Sequence, residues 1–288
     1  MDDDERDSDP FGPPASEGGE RSMTYVGAAS WAFGMTAVFF FLVLLVISIR
    51  PAAQSDLITK FGCQVIATLL ALFLILRLYA PDKSIRDFVG FRSTHVGFYP
   101  IAILLGVAVQ VPANALYDLI TRRFPTPPDQ DDSLFEDLSR GRFSRFAIIA
   151  VLAVLGPFVE EVFFRGALFR PLRKRYEAVG VVLATSLFFA ASHLEWQMIA
   201  PIAIVGLSLG VLRSASGSLV PSCLMHGAFN GVTLYSLLTR GPNAEANTTI
   251  PLSISIGGSL ATLALLGLAS LLGDKSVWAA EARAKDES

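Results

Sequence analysis

The reading of this chain turns on Gly156-Pro157-Phe158-Val159-Glu160-Glu161-Val162-Phe163-Phe164-Arg165-Gly166. The stretch lies inside an apolar run of about 25 residues, 145–169, long enough to cross a bilayer as a helix. An ionised side chain at the bilayer centre costs about 2.5–3.5 kcal/mol on insertion scales. Two carboxylates and a guanidinium in one span therefore need a reason. Glu161 and Arg165 are four residues apart, so they share a helix face and can pair. Glu160 is turned away by about 100° and lacks that partner. Pro157 is predicted to kink the helix or free a carbonyl.

The surrounding chain carries the same signature. Of 288 residues, 52% are hydrophobic and 17% charged, with a mean hydropathy of +0.51. A soluble domain carries about 25% charged residues, so composition excludes a soluble globular enzyme, a disordered chain and a disulfide scaffold. Hydropathy places about eight spans, at 24–49, 57–80, 96–120, 145–169, 179–194, 197–213, 218–239 and 250–273. The fifth and sixth are short. The fold class expected is an all-α polytopic helix bundle, with a membrane domain over 24–273 and its chemistry in about 145–240. No convincing internal repeat is present.

The ends are polar. Residues 1–23 open with Asp2, Asp3, Asp4, Glu5, Asp7 and Asp9 and continue through Pro, Gly and Ser, which predicts a disordered acidic tail. Residues 274–288 form a polar C-terminal tail. An acidic start ahead of a long apolar run does not look like a cleaved signal. Fourteen of the lysines and arginines fall on the side of the termini and eight on the other, so the positive-inside rule puts both termini in the cytoplasm. The connection 121–144 contains the capping-box pattern Ser133-Leu134-Phe135-Glu136, which predicts a short interfacial helix. Cys63 and Cys223 lie in apolar runs and have no disulfide or metal spacing. Arg170-Pro171-Leu172-Arg173-Lys174-Arg175 directly follows the Glu-bearing span. Membrane lipid is its expected partner, and nucleic acid is not expected.

Three histidines are present. His95 is in a loop, His193 closes the fifth span, and His226 lies in the seventh. Phe189 and His193 are four apart, as are His226 and Asn230, so each pair shares a face. At about 1.5 Å per residue, Glu160 is about 15 Å deep, His226 about 12 Å and His193 about 21 Å. Gln110, Asn114 and Asp118 form a stripe on the third span. Either the stripe lines a hydrated cavity with Ser186, Ser192 and Thr233, or it bonds between helices.

Glu160-Glu161-x-x-x-Arg165, Phe189-x-x-x-His193 and His226-x-x-x-Asn230, in that order and each on an apolar span, resemble the signature of the CAAX-protease and bacteriocin-processing family, which includes the type II CAAX prenyl endopeptidases. The resemblance covers about 145–240 and implies an intramembrane protease acting on a membrane-anchored, possibly lipidated, peptide. By that resemblance Glu160 activates water with help from His193, His226 and Asn230 stabilise the oxyanion, and Glu161 and Arg165 support the site. The family is often described as metalloproteases, so a divalent metal such as zinc, held by two His and a Glu, stays open beside a metal-free site. The competing readings are a non-catalytic scaffold or bacteriocin-immunity protein of the same fold and a proton-coupled transporter, both of which also use buried polar groups.

Overall fold

The computed structural model describes residues 20–125, 142–240 and 250–273, and every regular element among them is helical. The interfacial helix expected around Ser133 lies outside the described residues, as do the C-terminal tail 274–288 and the first 19 residues. The elements are α1 (Tyr25–Ile49), α2 (Leu57–Tyr79), the short α3 (Ile85–Val89), α4 (Phe98–Arg123), α5 (Arg145–Arg173), α6 (Ala178–Ala191), α7 (Trp196–Ser216), α8 (Leu219–Arg240) and α9 (Leu252–Gly273). Six of them, α1, α2, α4, α5, α7 and α9, are long and apolar enough to cross a membrane, which makes the chain an integral membrane protein.

All eight expected spans are helical, six of them full-length and apolar and two lesser. At 14 residues, α6 extends only about 21 Å, less than a hydrocarbon core of about 30 Å. α8 has the length, but Ser222, His226, Asn230 and Thr233 interrupt its apolar surface. The sixth helix is not short: α7 runs for 21 residues.

Water does not drive membrane helices together, so close packing and buried polar contacts must do so. Two glycines show where backbones meet. A Cβ at Gly106 of α4 would lie 2.8 Å from the Cβ of Ala228 on α8 and closer still to the carbonyl of Met225. A Cβ at Gly206 of α7 would lie 3.1 Å from Ser186 Cβ on α6. α4 therefore packs against α8 and α6 against α7, while α5 runs through the centre and touches α2, α3, α6 and α8. Outward-facing Val26, Phe33, Phe41, Leu44, Leu263 and Leu271 give α1 and α9 lipid-compatible surfaces.

α5 is not a regular helix. It widens into π turns over Val151–Leu155 and Val162–Ala167, and the Gly156 N–H reaches back to the Val151 carbonyl. The Leu152 carbonyl, which a regular helix would pair with that N–H, is released to another partner. Pro157, without an N–H of its own, lies just beyond. In α4 the corresponding break is at Val109, three residues before Pro112.

The tail reading also needs correction at its inner end. Arg21 N–H donates to the Tyr79 carbonyl at 2.7 Å, Met23 N–H donates to Pro171 O at 3.0 Å, and the Met23 side chain is buried. Glu20 sits among Lys174 Nζ at 2.7 Å, Arg170 Nη2 at 2.8 Å and Lys83 Nζ at 3.5 Å. Partial burial pushes the Glu20 carboxyl up, but its hydrogen bonds and attraction to Lys174 and Arg170 outweigh that and hold it down at about 2. Residues 20–23 thus clasp the start of α1 to the ends of α2 and α5.

Candidate active site

Glu160 and Glu161 close a regular helical stretch just before the wide turn at Val162–Ala167, and as adjacent helical positions they face different surroundings. Glu161 is fully buried. Its Oε1 accepts from Arg165 Nη1 at 2.9 Å and lies 3.0 Å from His226 Nδ1. Arg165, also fully buried, gives its other terminal nitrogen to the Gly206 carbonyl at 2.9 Å. Arg213 Nε donates to the Arg165 carbonyl at 2.8 Å, so α7 grips the turn from outside. A buried ion pair persists only when its remaining donors and acceptors are met, and these contacts meet several of them.

Glu160 retains about a quarter of its side-chain exposure, against none for Glu161. It borders a cavity of about 210 Å³ whose lining includes Thr36, Gln64, Thr68, Ser192 and His193. Its Oε1 accepts from Gln64 Nε2 at 3.1 Å, and its Oε2 is 3.7 Å from His226 Nε2, beyond direct hydrogen-bond length. The sequence depths set His193 about a turn below Glu160; in the structure both residues line this one cavity.

Phe189 fixes both imidazoles. Its ring meets His193 edge-on at 5.0 Å and His226 at 5.6 Å, with the Arg165 guanidinium 4.6 Å from its centroid. That is the physical content of the Phe189–His193 spacing. His193 Nδ1 lies 2.9 Å from the Phe189 carbonyl, which can only accept. His226 Nδ1 faces a carboxylate oxygen. On this hydrogen-bond assignment both rings carry their proton on Nδ1 and leave Nε2 for chemistry. The backbone just past His193 is strained, since Leu194 adopts φ 57°, a left-handed conformation rare for a bulky residue.

The structure adds detail at two positions left open by the sequence. Asn230 Nδ2 donates to the released Leu152 carbonyl at 2.8 Å. In this structure it holds the first wide turn of α5, with one amide hydrogen left over. The stripe on α4 does not line the cavity: Gln110 Nε2 donates to the Phe229 carbonyl at 2.6 Å and to Thr233 Oγ1 at 3.0 Å, and Asp118 pairs with Arg122 at 3.7 Å. Of the residues named with that stripe, Ser192 alone is among those lining the described cavity. The polar lining comes instead from Thr36 on α1 and from Gln64 and Thr68 on α2, which the sequence reading missed. Gln64 and Thr68 sit four apart in an otherwise apolar run, and that spacing was the available signal.

A zinc-type site needs three converging protein ligands. Among the described residues no three His, Cys, Asp or Glu side chains are grouped to hold a metal ion. The donor set does not fit the three-ligand zinc site that the resemblance left open beside a metal-free one.

Residues 142–232 match the family model described as type II CAAX prenyl endopeptidase Rce1-like. The matched segment runs from the start of the α5 region into α8 and contains Glu160, Glu161, Arg165, His193, His226 and Asn230. No curated protein and no solved structure matches the chain.

Proposed function

We propose that this chain, whose residues 142–232 match the type II CAAX prenyl endopeptidase family model, is an intramembrane endopeptidase that hydrolyses a peptide bond of a membrane-associated substrate. The observation that carries the reading is the placement of Glu160 and His193 on one cavity, with His226 Nε2 beside the Glu160 carboxylate. Glu160 takes a proton from a cavity water as the water oxygen attacks the peptide carbonyl, and the same carboxyl then returns that proton to the departing amine. His193 orients the water through Nε2. His226, when protonated at both ring nitrogens, meets the negative charge on the carbonyl oxygen. Glu161, braced by Arg165, keeps the His226 ring in place, as a buried carboxylate orients an imidazole in other hydrolytic sites. Asn230 supports the same ensemble by holding the wide turn of α5. Both termini face the cytoplasm in this reading, because the basic residues favour that side.

The test compares purified wild-type protein with Glu160→Gln and His226→Ala on a library of internally quenched peptides carrying a farnesyl or palmitoyl group, with and without a chelator. Cleavage by wild type, lost in both variants and insensitive to chelator, is the expected result. Unchanged cleavage by Glu160→Gln removes the mechanism.

A further inference from the structure

Gln64 lies outside the segment matched by the family model, on α2, which supplies none of the motif residues. It is half-buried in a helix whose neighbouring positions Cys63, Ala67, Ala71 and Leu72 are packed and apolar. Its Nε2 reaches across to α5 and donates to Glu160 Oε1 at 3.1 Å, the one hydrogen bond that a described side chain gives this carboxylate. The amide orientation is chemically determined, because turning the carbonyl oxygen toward an ionised carboxylate would set two acceptors against each other. The other glutamate oxygen, Oε2, is left on the side of His226 Nε2. Of the amides on the matched segment, Asn230 is occupied with the Leu152 carbonyl and Gln197 with the Phe124 carbonyl.

We propose that Gln64 is a further positioning residue of this site: it fixes the rotamer of Glu160, anchoring Oε1 so that Oε2 is presented to the cavity and His226. This rests on the hydrolase reading above. The physical reason is directional. A glutamate has three rotatable side-chain bonds, and proton transfer requires a heavy-atom approach of about 2.6–3.2 Å to the attacking water. One amide donor on the far oxygen removes the rotation that would swing the base out of reach. A competing explanation makes Gln64 an interhelical tie between α2 and α5, a common role for glutamine in membranes. The two differ in what they do to turnover.

The experiment uses full-length protein in micelles and three substitutions: Gln64→Leu, Gln64→His, which keeps an N–H donor, and Glu160→Gln as reference. With the farnesyl and palmitoyl peptide library as probe, Gln64→Leu is expected to lower kcat by about 10²-fold, the scale of a misplaced catalytic group, with KM within about twofold. Gln64→His recovers most of the loss. The infrared difference spectrum between wild type and Glu160→Gln isolates the Glu160 carboxylate band, and that band shifts in Gln64→Leu whether or not a substrate is cleaved.

Three results overturn the inference. The first is a wild-type kcat in Gln64→Leu while Glu160→Gln is inactive, which leaves the hydrolase reading standing. The second is an equal loss in Gln64→Leu and Gln64→His together with a lower melting temperature, which makes Gln64 a structural tie. The third is an unmoved carboxylate band. Turnover at the wild-type rate by Glu160→Gln overturns the hydrolase reading itself and the inference with it.

Discussion

Two carboxylate clusters of opposite character are built on the same helix. At one end of α5, Glu20 rests among Lys83, Arg170 and Lys174 with about an eighth of its side chain still exposed. Near the middle, Glu161 meets Arg165 and His226 with no exposure at all. The contact distances are nearly the same, 2.7–2.8 Å for the two closest partners of Glu20 and 2.9–3.0 Å for Glu161. What differs is how much each loses when a partner is removed. The cations around Glu20 are partly exposed, and pairs of that kind contribute about 0–1 kcal/mol each, whereas breaking a buried pair costs about 3–5 kcal/mol because a charge is left without compensation. The outer cluster fastens chain ends and the inner one fixes geometry. Glu160, between these extremes, is held by one amide and open to a cavity.

The sharpest way to break this contrast is to neutralise the partly open acid. Glu160→Gln should reduce cleavage by about 10²–10⁴-fold, the range attributed to a positioned base, while the melting temperature in detergent changes little. Next in size, Arg165→Met should destabilise the fold by about 3–5 kcal/mol, since it strands a buried carboxylate. The double variant Arg165→Met/Glu161→Leu should recover much of that loss in chemical unfolding. If the single and double variants unfold alike, the inner pair is not what braces α5.

The outer cluster gives smaller and condition-dependent effects. Glu20→Gln should lower stability by no more than about 1 kcal/mol per pair, and 1 M salt should erase the difference from wild type, because charges at the surface are then screened within about 3 Å. Its pH dependence has a definite sign. The folded carboxyl titrates at about 2 against an ordinary value of 4.5. Its stabilisation is therefore fully present above pH 4.5 and is lost as pH falls toward 2. Melting curves of wild type and Glu20→Gln should converge across that window. Smallest of all, Asn114→Leu should leave cleavage within about twofold of wild type, since its neighbour on the stripe, Gln110, bonds to α8 and does not line the cavity.

The helical membrane architecture was legible because long apolar runs leave a backbone in lipid few alternatives to a helix. Glu160, Glu161 and Arg165 were legible because charges there are expensive. Spacing identified shared faces but not what those faces meet. Gln110 and Thr233 could be named together, yet only packing shows that they bond to one another. Gln64 was passed over because its four-residue spacing to Thr68 marks only a shared face, and its partner is 96 positions away. Glu20 was indistinguishable from the other acids of the tail until the cations around it were located. The wide turns of α5 are likewise invisible to helical periodicity, because that count assumes the regular register they interrupt.

Those turns make α5 a helix with surplus residues. Each i→i+5 loop, such as Gly156 to Val151 or Leu168 to Phe163, takes in one residue more than a regular turn requires. Deleting a single residue from 151–155 would allow that stretch to tighten into ordinary α-helix while keeping its hydrogen bonds. Everything beyond it would keep its facing, because Gly156 would still close on the same carbonyl, now as an ordinary helical turn. A one-residue deletion within that surplus should thus leave Glu160 on the cavity wall, whereas one between Gly156 and Glu160, where the helix is regular, would turn it by about 100° relative to the residues before it.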